Sequence, residues 1–377
     1  MNFELNEEQS ALADSLSRLL GDRYAFEKRR ALVAQGQASD SGTWAALAEL
    51  GLTALPVPES HGGFGGGARD LLPVMQALGR HLAMEPFLAS AVLATTAVRT
   101  GASDEMQDRL LTALAGGETV LAWAHDEPAG RHAPVWVETR AERKGGRWTL
   151  TGTKSTVLAA PLASAFVVSA RVSGAAGDAD GCALFLVDAK AAGAHLREFR
   201  LVDDTAAGEL TLRDAEAEPL ADPFDGSRAR RAIAATTNAG IAAACADMTG
   251  AMESAFQLAM DYLRTRKQFG RFIGENQALR HRASEMLVCL EMARSMAMAA
   301  AVAADSPNAE DAAADLHRAK ISVGRNARTL AHGAIQLHGG IGMTEEYAVG
   351  HSLRRIHVLD QLFGDADAHA ARLAALA

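Results

Sequence analysis

The apolar residues of this chain change their period twice, and that double switch limits the folds open to it. Up to about residue 118 they recur at helical spacing. From 119 to about 224 they come in short, β-prone runs separated by turn residues. From about 226 the helical period returns, in segments far longer than the first ones. Such a chain is α+β and multidomain: an N-terminal all-α domain over 1–118, a middle β domain over 119–225 and a C-terminal four-helix-bundle domain over 226–377. Its 377 residues are enough for one large core or two to three smaller ones.

In the first region Asn6 and Gln9 make an expected capping box ahead of Leu12, Leu16 and Leu19. Further helices are expected near 43–51, 68–83, 87–100 and 104–116, with breaks at Pro56-Val57-Pro58 and over 61–67. The middle region offers strand-length runs at 120–125, 135–139, 148–158, 165–172, 183–187, 196–201 and 209–212, and Lys144-Gly145-Gly146 reads as a hairpin turn. With no helices between them, these strands predict a small sandwich or barrel and not a parallel nucleotide-binding sheet. In the last region three stripes stand out: one from Ile241 through Met252 to Leu263, one from Leu279 to Leu290 that includes Leu287, and one from Leu316 through Val323 to Leu337. Their many Ala and Met residues suit helix-to-helix packing.

A net charge of −9 excludes a nucleic-acid face, which needs a concentrated basic stripe. The one basic cluster, Arg228 to Arg231, is short enough to be a solvated helix start. Cys182, Cys245 and Cys289 are odd in number and widely spaced; they suit a reducing compartment and form no metal-ligand pattern. Met1-Asn2-Phe3-Glu4 does not open a secretion signal, and no stretch approaches the roughly 20 apolar residues that cross a bilayer. A cytoplasmic protein with no membrane partner is expected.

Three phrases in the last third carry candidate chemistry. Arg266-Lys267-Gln268-Phe269-Gly270 reads as a helix end, with cations that complement the dipole and Gly270 as a left-handed cap. Alone, the phrase favours that reading; the functional one is a guanidinium for a diphosphate and an aromatic face for an adenine. Gln336-Leu337-His338-Gly339-Gly340-Ile341-Gly342 is either another helix cap or a place where backbone amides approach a phosphate or ribose. It follows no strand, so it is not a dinucleotide-binding fingerprint. The third phrase is Asp360-Gln361-Leu362-Phe363-Gly364-Asp365.

At this spacing the three phrases resemble the C-terminal domain of the acyl-CoA dehydrogenase family. The stretch 276–282, Leu50-Gly51-Leu52 and Pro58-Glu59-Ser60-His61-Gly62-Gly63 extend the resemblance over essentially the whole chain. It implies the acyl-CoA dehydrogenase fold: an N-terminal helical domain, a central β-barrel or sandwich and a C-terminal four-helix bundle. It also implies that Arg266, Phe269, Gln336, Gly339 and Gly340 hold the ADP half of FAD, reaching across a dimer interface into the neighbour's flavin. An oligomer follows, typically a tetramer built as a dimer of dimers. The implied reaction oxidises an acyl-CoA thioester to the trans-2-enoyl-CoA. A base takes the α-proton, FAD takes the β-hydride, and an electron-transferring flavoprotein reoxidises the FAD.

On the flavin-ring side the sequence departs from the family. The cofactor positions there are His125, Asp126, Thr156 and Leu158; Asp126 replaces a hydroxyl residue, Thr156 a Trp and Leu158 a Thr. Ala366 and Ala368 replace two further polar contacts. The family's third phrase is Ile-Tyr-Glu-Gly-Thr, whose Glu is the base, and Gly364 falls at that Glu; the alternative placement of the base falls on Gly240. The nearest acid is Asp365, one methylene shorter than a Glu. It is either a displaced catalytic base or the cap of the terminal helix. The spacing Asp365-x-Asp367-x-His369 is no metal site, because helical residues two apart do not face together.

Within the family these departures resemble most the small subunits of unequal-subunit enzymes such as pimeloyl-CoA dehydrogenase. Three readings stay open: a catalytic subunit, in a homotetramer or a heterotetramer; a non-catalytic subunit that completes a partner's FAD site; and a flavin monooxygenase or nitroalkane-oxidase-like enzyme on the same fold.

Overall fold

The computed structural model describes residues 7–306 and 309–376; the Asn6–Gln9 capping box and Met1 to Glu4 lie outside the described residues and side chains. Two compact units are present, each assembled from segments distant in sequence. One comprises residues 1–31, 68–83 and 241–377, the other 32–67 and 84–240.

Before the strands come α1 (Glu7–Arg23), α2 (Phe26–Ala34), α3 (Ser41–Glu49), α4 (Ala68–Arg80), α5 (Thr95–Gly101) and α6 (Asp104–Ala115). Two of them start where the sequence supplies a cap. Asp40 accepts from the Gly42 N–H ahead of α3, and Ser103 from the Met106 N–H ahead of α6. The helix expected over 87–100 opens instead as a π-helix, Phe87–Ala94, before α5. Hydroxyls intervene there: Thr95 Oγ1 donates to the Ser90 carbonyl five residues back, and Ser90 Oγ accepts from the Leu121 N–H.

The strands are β1 (Leu121–Ala124), β2 (Arg140–Lys144), β3 (Arg147–Leu158), β4 (Ala165–Arg171), β5 (Cys182–Asp188), β6 (Ala194–Arg200) and β7 (Ala206–Pro219). Their order is β1-β4-β2-β3-β7-β5, and β5 pairs back onto β4, so the sheet closes into a barrel; β6 adds to the edge of β7. Phe166, Val168, Phe185, Val187, Leu210 and Leu212 fill its core. Gly145 and Gly146, both with positive φ, turn the chain between β2 and β3. The run expected at 135–139 is not a strand. Side chains take its backbone groups instead: Glu127 accepts from the Glu138 and Thr139 N–H, and Arg171 Nε donates to the Val137 carbonyl.

After the barrel come α7 (Gly226–Thr265), a hairpin of β8 (Lys267–Gln268) and β9 (Arg271–Phe272), α8 (Gln277–Ala304), α9 (Ala309–His338), α10 (Ala348–Gln361) and α11 (Ala366–Ala375). The stripe from Ile241 to Leu263 is buried along α7, and that from Leu316 to Leu337 along α9. On α8 Met286 and Leu290 are buried but Leu287 is exposed. By length and composition α8 is apolar enough to cross a bilayer, which corrects the expectation that no stretch is; one such helix packed along α9 is weak support for a membrane span. Two glycines let α4 and α7 cross closely: a Cβ at Gly250 would overlap the Gln76 carbonyl oxygen, and one at Gly79 the Asp247 carbonyl. Asp247 in turn takes a bidentate pair from Arg355, with Nε at 3.0 Å and Nη2 at 2.6 Å, which ties α10 to α7.

Candidate functional site

The unit that holds α7 from Ile241 onward and α8 to α11 carries the three phrases. The first is not a helix cap. α7 ends at Thr265, and the chain turns through the β8–β9 hairpin, with Phe269 (φ 53) and Gly270 (φ 79) at its tip. A left-handed phenylalanine is uncommon, and this one is 100% exposed. The neighbouring cations have local partners: Lys267 Nζ sits 4.6 Å from the Phe272 ring centre across the hairpin, and Arg271 donates to Oδ1 of Asn276, the N-cap of α8, at 2.5 Å. Arg266 is exposed, and among the described residues no group hydrogen-bonds or ion-pairs with its guanidinium.

Gln336 is exposed on the last turn of α9, and Gly339 (φ 65) and Gly340 follow, exposed, with no atom within 4 Å of where a Cβ would stand. His338, between them, is buried and lies 4.6 Å ring to ring from Tyr262. Tyr262 is one turn ahead of Arg266, so the structure brings the first two phrases together.

The third phrase forms the turn between α10 and α11. Asp365 is the N-cap of α11, its Oδ1 accepting from the Ala368 N–H at 2.8 Å. The capping alternative therefore holds for its position. Gly364 has φ 106, a region L-residues rarely adopt, and a Cβ there would stand 3.3 Å from His369 Nε2. Lys320, fully buried on α9, fixes this turn by donating to the Asp360 carbonyl at 2.7 Å and the Gly364 carbonyl at 2.8 Å. Burial lowers the Lys320 pKa.

His369 lies 2.9 Å from His317, Nδ1 to Nδ1, and burial, with Lys320, Arg372 and His317 nearby, pushes its pKa down to about 3. Asp360 is buried; its Oδ2 accepts from Arg328 at 3.3 Å, and a Cβ on Gly324 would overlap its Oδ1. Burial also pushes the Cys245 thiol up to about 12, so it stays protonated and inert. The other base position, Gly240, is a buried residue of α7 without a side chain. Lys320 and His317 carry no signal in the sequence, because they shape the turn from α9 without belonging to it; Asp360 and His369 stand in the sequence patterns, but their part in the turn shows only in the fold.

The barrel-bearing unit carries the flavin-ring positions. At its centre Lys154 Nζ donates to Glu127 Oε1 at 2.6 Å, to Ser169 Oγ at 3.1 Å and to the His125 carbonyl at 3.1 Å. Glu127 also accepts from Thr139 Oγ1 and the Thr139 N–H. His125 Nε2 must donate to the Pro134 carbonyl, 2.9 Å away, so Nδ1 accepts from Ser169 Oγ at 2.8 Å. Burial lowers the His125 pKa, and the neutral tautomer with the proton on Nε2 satisfies both contacts. Both ring nitrogens are engaged, and none is left for a ligand. Asp126 is exposed, its carbonyl accepting from the Ser155 N–H at 2.8 Å. Thr156 takes φ 50 where the β3–β7 register shifts, a costly conformation for a β-branched residue. Leu158, half-buried, follows with no hydrogen-bonding group.

Comparison with known proteins settles the family. Residues 6–118, 122–215 and 230–376 match the models described as acyl-CoA dehydrogenase N-terminal, middle and C-terminal domains. The chain belongs to the acyl-CoA dehydrogenase family. It is 28% identical to the acyl-CoA dehydrogenase FadE27 of Mycobacterium tuberculosis, over 93% of this chain and 91% of that one. Among solved structures, a variant of the Tcur3481-Tcur3483 steroid ACAD superposes with a TM-score of 0.87 at 28% identity, covering 98% of this chain and 97% of that one. The ChsE4-ChsE5 complex from Mycobacterium tuberculosis gives a TM-score of 0.87 at 25% identity, covering 100% and 98%. Acyl-CoA dehydrogenases are FAD-dependent oxidoreductases, and this is the enzyme class to which the chain belongs.

The residues present fit one half of FAD and not the other. An unpaired Arg266, an exposed Phe269 and the open Gly339-Gly340 backbone suit a diphosphate and an adenine. On the ring side His125 is engaged inward, and Thr156 and Leu158 offer neither an aromatic face nor the hydroxyl at position 158.

Proposed function

We propose that this chain is one of two unlike subunits of an acyl-CoA dehydrogenase, and that it completes its partner's FAD site while carrying no base of its own. The observation behind this reading is the hairpin. Arg266 and Phe269 are held outward at the hairpin, and among the described residues no group pairs with the Arg266 guanidinium or covers the fully exposed Phe269 ring. Arg266 would pair with the diphosphate, Phe269 would cover the adenine, and Gln336, Gly339 and Gly340 would meet the ribose and phosphates. FAD bound there supplies the acceptor for the hydride of an acyl-CoA thioester, with an electron-transferring flavoprotein as the onward acceptor.

The ChsE4-ChsE5 complex, a pair of differently named chains on this fold, supports pairing of unlike subunits. Likeness of residues 362–367 to the small subunit of pimeloyl-CoA dehydrogenase favours a dicarboxylic or otherwise unusual acyl chain. For Asp365 to act as base it would have to release the α11 cap. The test uses the assembly purified through a tag on this chain. Replacing Arg266 and Phe269 together by Ala is expected to weaken FAD binding by about tenfold or more, since charge-assisted hydrogen bonds contribute roughly 1.5–3 kcal/mol each. Unchanged flavin content and affinity would exclude the donated half-site.

A further inference from the structure

His338 stands inside the second phrase, yet it faces away from everything the phrase exposes. It is the last residue of α9, and its imidazole is buried. Nδ1 lies 2.8 Å from the Ala334 carbonyl and must donate to it, which orients the ring along its own helix. Two tyrosines enclose it: Tyr262, 4.6 Å away at 31° between ring planes, and Tyr347, 4.9 Å away at 51°. The tyrosines meet edge to face at 6.4 Å. Gly342 folds back over it, so that a Cβ there would stand 3.0 Å from the His338 Cβ.

Each neighbour belongs to a different segment. Tyr262 accepts, through its carbonyl, the Arg266 N–H at 2.9 Å, and so lies in the turn that launches the hairpin. Tyr347 is the N-cap residue of α10. His338 itself immediately precedes the open Gly339-Gly340 turn. One buried ring is thus the common packing point of the segment bearing Arg266 and Phe269 and the segment bearing Gln336, Gly339 and Gly340. Among the described residues, nothing lies within 4 Å of where a Cβ would stand on Gly270 at the hairpin tip or on Gly339 and Gly340 in the turn. A ligand gripped by both gains affinity only if their separation is set beforehand.

We infer that His338 is a positioning residue for the donated FAD half-site: packed in a three-ring cluster with Tyr262 and Tyr347, it fixes the spacing between the hairpin and the Gly339-Gly340 turn. This inference rests on the donated half-site proposed above. It assigns His338 no contact with the cofactor. What matters is the ring as a packing body, and the burial that lowers its pKa keeps that ring neutral.

FAD titration of the flavin-stripped assembly, purified through a tag on this chain, provides the test, with ADP as a second probe that carries only the half in question. His338→Ala is expected to weaken FAD about tenfold. ADP, as a competitor, should weaken by the same factor, while the mass of the assembly and the flavin spectrum at saturation stay as in the parent. His338→Phe keeps a ring and is expected to stay within about threefold of the parent. Should His338→Ala not fold, Tyr262→Leu removes another ring of the same cluster and is expected to act in the same direction. Parent-like FAD and ADP affinities in His338→Ala or Tyr262→Leu would overturn the inference, as would an FAD loss with no matching ADP loss. If Arg266→Ala weakens FAD and these variants do not, the positioning role alone fails. If Arg266→Ala is also silent, the donated half-site fails with it.

Discussion

Lys154→Met is expected to destabilise the barrel-bearing unit by about 3–5 kcal/mol, the range for leaving one partner of a buried ion pair alone. The Lys154 and Glu127 side chains are 0% and 1% exposed and 2.6 Å apart. Without the ammonium, Glu127 would keep its carboxylate in the core, Ser169 would lose a donor, and the His125 carbonyl another. Burial lowers the Lys154 pKa, but Glu127, Ser169 and the His125 carbonyl place three acceptors around Nζ that only an ammonium can satisfy, so the pair is ionic. Urea denaturation should show the loss as a lower midpoint. Replacing both partners, Glu127→Gln with Lys154→Met, should cost less than the single change, because no charge is stranded.

The pH dependence has a definite sign. Burial alone would raise the Glu127 pKa, but the Lys154 ammonium and the Thr139 hydrogen bonds outweigh it and hold the pKa below its ordinary 4.5. A carboxyl depressed in the folded state contributes stability that is fully present above 4.5 and lost as pH falls through the lower folded value. The gap between parent and Lys154→Met should therefore narrow in acid. A gap that widened there would contradict the ionic assignment.

Gly364→Glu is expected to restore no acyl-CoA oxidation, although it puts the family's base at the family's position. The backbone there sits at φ 106, and a side chain would meet His369 Nε2 at 3.3 Å and the Ala368 Cβ at 3.5 Å. Forcing an L-residue into such a region costs on the order of 1–3 kcal/mol. The turn cannot relax freely, because Lys320 holds both the Asp360 and Gly364 carbonyls. Loss of stability without gain of turnover is the expected outcome, read by thermal melting and by dye reduction with an acyl-CoA. Turnover that appears on this single change would show the corner to be a dormant active site.

The sequence disclosed the element types well where burial drives them. The stripes of α7 and α9 are buried as their spacing requires, since a 3.6-residue period can only hide one face. It misled where side chains compete for backbone. Residues 135–139 have strand composition, yet Glu127 and Arg171 take their hydrogen bonds. The charged strand β2 fills the place instead, held by its hairpin with β3. At the candidate site, the exposure of Arg266, Phe269, Gln336, Gly339 and Gly340 agrees with their standing in phrases of polar, aromatic and glycine residues. The partners of the buried residues, Tyr262 and Tyr347 about His338 and Lys320 and His317 about the 360–365 turn, come from distant segments whose meeting no local pattern encodes. Gly270 was legible as a left-handed residue but not as a hairpin tip, because the same φ serves both.

The most direct measurement is the visible absorption spectrum, with the native mass, of this chain expressed alone. A chain that completes a partner's site and lacks its own should purify with little or no flavin, well below one FAD per chain. It should gain flavin only when a second acyl-CoA dehydrogenase subunit is co-expressed and the mass rises to that of a mixed assembly. A yellow homotetramer with one FAD per chain that reduces dye with an acyl-CoA would contradict this.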